Sequence, residues 1–226
     1  ETLTQNIPFG ILNAYLAYLF DKCLSKNMSK ADLTRQFIIE KTSNLFNKSG
    51  YAGTSMTDIT SATGLTKGSI YGNFKNKEEV AIEVFRYNSG RLAVKMSSAI
   101  GSEKSAFNQL VAFTDFYRNN WDSMLEKGGC PLLNSATEMD DALPFMKTEV
   151  LHSFKGLTER ITRIIEFGIQ QKEFKENISI SSAAYASLFL MLIEGGILLA
   201  KTFEKQDYLN QALDRVLKII NDEIVK

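Results

Sequence analysis

Histidine is almost missing from this chain: His152 stands alone among 226 residues, beside only two cysteines, Cys23 and Cys130, and three prolines. One imidazole and two thiols cannot build a disulfide framework or a four-ligand zinc site, and they leave little for general-base chemistry. The sequence also has no glycine-rich phosphate loop, no period-two strand pattern and no internal repeat. Net charge is zero as well. These gaps predict a non-enzymatic, all-α protein with no cofactor and no metal. The sparse cysteines suit a reducing interior, so the expected location is the cytoplasm.

What the chain does have is apolar surface to bury, with 44% hydrophobic and 23% charged residues, an ordinary folded profile for one or two domains. The zero net charge conceals an asymmetry. Between Ser29 and Lys77 seven basic residues (Lys30, Arg35, Lys41, Lys48, Lys67, Lys75, Lys77) face three acidic ones (Asp32, Glu40, Asp58), a local charge of +4. From Glu78 onward 17 basic residues face 21 acidic ones, a charge of −4. A small basic module followed by a larger acidic one implies an anionic partner for the first part only.

The apolar stretch "IPFGILNAYLAYLF" near the start has no basic residue before it and no small-residue cleavage site after it, which makes a poor signal peptide. It is also short for a bilayer span and interrupted by tyrosines and an asparagine. Met28 with "SKADLTRQ" reads like a protein start. Residues 1–27 are therefore expected to be an extension outside the main fold, with an extra docked helix as the alternative.

From Met28 the apolar residues Leu33, Phe37, Ile38, Leu45 and Phe46 recur three and four apart and predict a first helix, closed by Gly50. Thr54 or Ser55 can cap a short second helix over Met56 to Thr63, with Met56, Ile59 and Ala62 or Thr63 inward. Gly64 and Leu65 form a turn, and Thr66 caps a third helix in "TGLTKGSIYGNF". That helix has one narrow apolar stripe, Ile70 and Phe74. Its other residues, Lys67, Gly68, Ser69, Tyr71, Gly72, Asn73 and Lys75, are small, hydrogen-bonding or cationic. Such a face suits entry into a major groove, where phosphates and base edges are met.

The spacing of "LFNKSGYAGTSMTDITSATGLTKGSIYGNFKNKEEV" resembles the DNA-binding region of the TetR/AcrR family of bacterial transcriptional regulators, without a gap from about Asp32 to Phe85. The resemblance covers about a quarter of the chain. It implies a helix-turn-helix domain at 28–77, a larger helical ligand-binding and dimerisation domain at 78–226, and a repressor released from its operator by a small molecule. It also implies roles for single residues. Thr54, Ser55 and Thr57 would touch phosphates at the start of the second helix. Lys67, Gly68, Ser69, Tyr71, Gly72, Asn73 and Lys75 would face DNA from the third, with Tyr71 on a phosphate and Lys67 and Ser69 near base edges, and Lys77 would reach the backbone. Thr60 stands where the family commonly has alanine, and Gly72 and Asn73 where it has bulkier residues. Those departures bear on base preference rather than on the fold.

The remainder reads as helices near 77–98, 103–121, 131–140, 144–173, 180–204 and 207–224, broken at Gly101, "KGG" and "KENIS". "AAYASLFLMLIEGGILLAK" is apolar nearly all round, but Glu194 and the Gly195–Gly196 pair argue for burial in protein rather than membrane. A homodimer through 180–204 and 207–224 is expected, with Leu213, Val216, Leu217, Ile220 and Ile224 as a matching stripe. Its two reading heads would lie about 34 Å apart on double-stranded DNA, at a near-palindromic operator. For an effector, Phe113, Tyr117, Trp121, Asn134, His152 and Phe154 offer an apolar pocket with a few polar groups, suited to a small hydrophobic or aromatic compound. As a plain core stripe the same residues need no ligand.

Two further readings stay open. Pro131 suits a first helical position and sets Cys130 at a helix N-terminus, where the dipole lowers a thiol pKa. Similar cysteine-bearing segments occur in a branch of the family that senses electrophiles and oxidants, which implies a reactive Cys130, with a small buried cysteine as the alternative. The acidic run Glu138, Asp140, Asp141 is expected to be a solvated helix end. An all-α interaction module that leaves the basic face idle is the rival to DNA binding, and a steep salt dependence of affinity separates the two.

Overall fold

The computed structural model describes residues 29–139 and 144–226. The expectations for residues 1–27, and for Cys23, Asp140 and Asp141, lie outside the described residues. Among those described the chain forms ten α-helices and no strand, and an isolated antiparallel bridge joins Phe174 and Val225.

The first three helices are set by local signals. Helix α1 (Lys30–Ser49) starts at Ser29, whose hydroxyl accepts from the Asp32 amide while the Asp32 carboxylate accepts from Ser29 in return. Helix α2 (Met56–Thr63) repeats the device with Ser55 and Asp58, and Gly64 ends it in the left-handed region at φ 70°. Helix α3 (Lys67–Asn73) is capped by the Thr66 hydroxyl and stops at Phe74, where the backbone turns extended.

The α1 stripe differs from expectation. Ile38, Ile39, Thr42 and Phe46 are buried, whereas Leu33 is 56% and Phe37 38% exposed. Ile38, Ile39 and Phe46 join Ile59, Ile70, Phe74, Val80, Ala81 and Val84 in one core, each fully buried large side chain contributing about 2 kcal/mol. Of the two alternatives for the last inward position of α2, Thr63 is buried and Ala62 is exposed.

Helix α4 (Lys77–Gly101) follows, then α5 (Ala106–Asn119) and α6 (Trp121–Glu126). The expected single helix over 103–121 ends early because Asn120 turns back, its side-chain amide donating to the Phe116 carbonyl at 2.8 Å. Helix α7 (Pro131–Met139) opens on proline, a 3-10 turn spans Pro144–Met146, and α8 (Lys147–Gln170), α9 (Ser182–Phe203) and α10 (Asp207–Ile219) complete the chain with a π turn at Ile220–Ile224.

Two compact units emerge, and they do not follow the division after Lys77 expected from the sequence. Of the described residues, one unit joins those up to Leu92 with those of 127–153, and the other joins Ala93–Glu126 with Phe154–Lys226. Helices α4 and α8 run without a break from one into the other.

In the second unit α9 and α10 pack closely. A Cβ at Gly196 would lie 2.7 Å from the Ala212 Cβ and 3.3 Å from the Leu209 Cα, so only glycine admits α10 at this distance. Leu213, Val216, Ile220 and Ile224 are fully buried within the chain. Of the stripe assigned to a partner, all but the half-buried Leu217 is therefore consumed internally. The surface left over is on α9, where Met191 (66% exposed), Leu198 (47%), Leu199 (44%) and Phe203 (53%) follow helical spacing around Gly195, whose missing side chain faces open space.

Candidate nucleic-acid interface

Helix α3 is held from behind by its neighbours. Ile70 and Phe74 sink into the core at 1% and 2% exposure. Arg35 of α1 lies over the Phe74 ring, 4.2 Å from its centroid, donates to the Asn73 carbonyl and pairs with Glu79 of α4 at 3.0 Å. The cation thus sits at the carbonyl end of α3, where the helix dipole favours it. Glu79 also accepts from the Lys75 amide at 2.7 Å, and that bond, with Arg35, holds its carboxyl below the ordinary value. Both ends of this seven-residue helix are fixed.

Its outer face is open. Lys67, Gly68, Gly72 and Lys75 are exposed and Tyr71 is half-exposed, while Ser69 and Asn73 are partly buried and linked by a 2.9 Å bond from the Asn73 amide to the Ser69 carbonyl. A Cβ at Gly72 would meet nothing within 4 Å, and one at Gly68 only the Thr66 hydroxyl at 3.9 Å. Neither glycine has a positive φ. Each costs the helix about 1 kcal/mol relative to alanine, and no internal packing needs it. What two such glycines provide is room for an external backbone to come close.

The positions before α3 divide. Ser55 and Thr57 are exposed at the start of α2, the Ser55 hydroxyl already engaged with Asp58 at 2.6 Å. That bond draws the Asp58 carboxyl below its ordinary value. Thr54 is buried at 0% exposure and its hydroxyl donates to the Gly50 carbonyl at 2.6 Å, so the phosphate contact expected of it has no free group. Lys77 also differs from expectation. Its amine donates to the carbonyls of Tyr51 and Thr54 at 2.8 and 2.7 Å and sits 3.9 Å above the Tyr51 ring, and burial lowers its pKa while Glu138 opposes that shift. It braces the α1–α2 loop from behind.

A second brace comes from α7. The Glu138 carboxylate accepts from the amides of Tyr51 and Ala52 at 3.0 and 3.2 Å, so it is not the solvated helix end expected. Asn134, one turn earlier, donates to the Asn47 carbonyl at 2.9 Å, and Asn47 donates to the carbonyls of Lys127 and Gly129 at 2.6 and 3.1 Å. Two glycines make this approach possible. A Cβ at Gly50 (φ +69°) would fall 2.0 Å from Glu138 Oε1, and one at Gly128 (φ +99°) 2.7 Å from the Asn47 carbonyl oxygen. Sequence reasoning missed Arg35, Asn47 and Glu138. The signal for Glu138 was its four-residue spacing from Asn134, and for Arg35 its place one turn before the buried Ile38–Ile39 pair.

The residues grouped as an effector pocket fall in different units. Asn134 and His152 belong to the first, Asn134 as part of the clasp and His152 exposed. Phe113, Tyr117, Trp121 and Phe154 belong to the second. There Phe113 and Tyr117 meet edge to face at 5.5 Å, both fully buried, and Trp121 is 4% exposed. In the first unit a cavity of about 30 Å³ lies between α1, α4 and α7, lined by Phe46, Val84, Phe85, Pro131 and Met146; it has room for a water or two and no organic effector. Cys130 has 0% exposure, which matches the buried-cysteine reading, and its thiol has no access to an oxidant or electrophile in this conformation.

Comparison with known proteins agrees with this geometry. Residues 38–84 match the family model described as bacterial regulatory proteins, tetR family, and residues 106–216 match a tetracyclin repressor-like C-terminal domain. The chain is similar to the solved TetR-family transcriptional regulator of Cytophaga hutchinsonii, with 37% identity and a TM-score of 0.83 over 89% of this chain and 100% of that one. It is also similar to a TetR transcriptional regulator of Chloroflexus aurantiacus, with 31% identity and a TM-score of 0.80 over 88% and 99%. By sequence it is 24% identical over 186 residues to the HTH-type transcriptional repressor DhaR of a Mycobacterium, covering 82% of this chain and 91% of that one.

Proposed function

Because the chain belongs to the TetR family of transcriptional regulators, we propose that it is a cytoplasmic homodimeric repressor that reads a near-palindromic operator with α3 and leaves it when a small apolar effector binds. The observation that carries this reading is the outer face of α3, with its two glycines that the fold does not require and its flanking Lys67, Tyr71 and Lys75. A polar, cationic, low-relief helix braced from behind is suited to a major groove.

Dimerisation is supported by the exposed apolar side of α9, since a soluble chain rarely leaves such a stripe uncovered. A two-fold axis beside α9 pairs the reading heads and calls for a two-fold operator. Release is supported by the clasp: Asn134 and Glu138 tie α7 to the α1–α2 loop, and α4 and α8 continue into the second unit. An effector that favours one arrangement of α4 shifts the population away from the DNA-competent spacing.

The test is a selection of bound sequences from random duplex DNA with the purified protein, repeated with Tyr71→Ala and Lys67→Ala. The expected result is a near-palindromic site enriched by the wild type and lost by both variants. No enrichment at low salt rejects the reading and leaves the interaction-module alternative.

A further inference from the structure

Among the described residues four arginines are paired with carboxylates. Arg35 meets Glu79, Arg86 meets Glu83 and Glu149, Arg118 meets Asp214, and Arg163 meets Glu159. Arg91 has the ring and hydroxyl of Tyr87, and Arg215 is exposed. Arg160, partly buried on α8, donates to the Ser97 hydroxyl of α4, and no carboxylate of the described residues lies within ion-pair distance. The charge that bears on it is Arg163, of the same sign, and burial together with this repulsion lowers its pKa. Arginine nonetheless stays protonated, so a cation is held here partly out of water, with the Ser97 hydroxyl as its hydrogen-bond acceptor and no carboxylate of the described residues against it.

Apolar residues stand near both side chains along the two helices. Met96 and Ile100, both 2% exposed, flank Ser97 on α4, and Leu157 and Ile164 lie one turn either side of Arg160 on α8. All of these belong to the second unit. We propose that Arg160 and Ser97 form the anion-recognising end of the effector site, and that the effector is a carboxylate carrying an apolar body. The planar guanidinium fork fits a carboxylate, the serine hydroxyl supplies one further donor, and the apolar side chains take the rest of the molecule. This rests on the effector reading above and names its ligand class.

The experiment uses the full chain and two matched pairs of probes, decanoate against decanol and 3-phenylpropanoate against 3-phenylpropanol. Binding is followed by the fluorescence of Trp121, the one tryptophan in the chain and part of the same unit. At least one carboxylate is expected to bind tenfold or more tightly than its alcohol. Arg160→Met is expected to abolish that preference and to raise the melting temperature of the free protein, since it removes a partly desolvated charge with no carboxylate of the described residues against it. Ser97→Ala is expected to weaken the carboxylate about threefold. The proposal is overturned if neither carboxylate binds, if the alcohols bind equally, or if the preference survives Arg160→Met. It is also overturned if Arg160→Met lowers the melting temperature, which would mark Arg160 as a structural contact within the chain or with a second copy. A carboxylate that binds through Arg160 yet leaves operator binding unchanged would reject effector release and leave this assignment standing. A compound that releases DNA equally well from Arg160→Met would do the reverse.

Discussion

Helices α3 and α9 each present a surface that the other described residues do not cover, but the two surfaces are opposite in chemistry. On α3 the unused face is made of glycines, small polar groups and lysines, and on α9 of Met191, Leu198, Leu199 and Phe203. The first is suited to a charged, hydrated partner whose counterions are released on contact, so its affinity falls steeply with salt. The second is suited to a partner that excludes water, so its affinity changes little with salt. One regulator thus carries two contacts that a single variable, ionic strength, should pull apart.

The largest effect is expected from breaking the apolar surface. Leu198→Asp combined with Leu199→Asp should give monomers in sedimentation at micromolar concentration. It should also weaken operator binding by about 100-fold or more, because two linked half-site contacts become independent. A stable dimer in this variant would place the subunit contact elsewhere. Next, Lys75→Ala should weaken operator binding about tenfold and lower the salt slope by about one, since an exposed lysine set against a phosphate releases one counterion. Its sedimentation should match the wild type at every salt concentration. Removing the Glu138 carboxylate with Glu138→Ala frees the Tyr51 and Ala52 amides and should cost about 1 kcal/mol locally, seen as roughly fivefold faster hydrogen exchange at those two positions.

Smaller in free energy but sharper in logic are Gly68→Ala and Gly72→Ala. Each should raise stability by about 0.5–1 kcal/mol through helix propensity while weakening DNA binding. A gain in stability with unchanged DNA affinity would mean that no external backbone approaches α3 there. The smallest effect is a control that touches neither surface. The Glu149 carboxyl is held below its ordinary value of 4.5 chiefly by its hydrogen bonds from Arg86. A lowered carboxyl pKa contributes stability above about 4.5 that is lost as pH falls through the folded value. Because Arg86 is about half exposed, the contribution is a few tenths of a kcal/mol. Chemical denaturation should show wild type and Glu149→Gln differing slightly at pH 6 and converging at acid pH.

The contrast between the two helices also explains what could be read from the sequence. The caps at Ser55, Gly64 and Thr66 and the Ile70–Phe74 stripe depend on neighbours within four residues, and the structure matches them. Leu33 and Phe37 share a period with the buried stripe of α1, but periodicity does not say which flank meets a partner. The apolar residues of α10 read as well for a second subunit as for α9, and only the close approach at Gly196 decides between them. Lys77 looked like a phosphate ligand because its charge was visible while the carbonyls of Tyr51 and Thr54, more than twenty residues away, were not. Arg35, Asn47 and Glu138 make their contacts across 38 to 87 residues of sequence, beyond any local rule.

The reciprocal glycines of the clasp set a rule for engineering. A cut after α3 would part the head from α7, yet Gly50 accommodates Glu138 and Gly128 accommodates Asn47. A hybrid that imports a foreign head with a side chain at position 50 would meet a φ of +69° that such residues rarely adopt and would push the Glu138 carboxylate from its place. A transplantable module of this protein therefore consists of two pieces of chain, the head and residues 127–138, moved together.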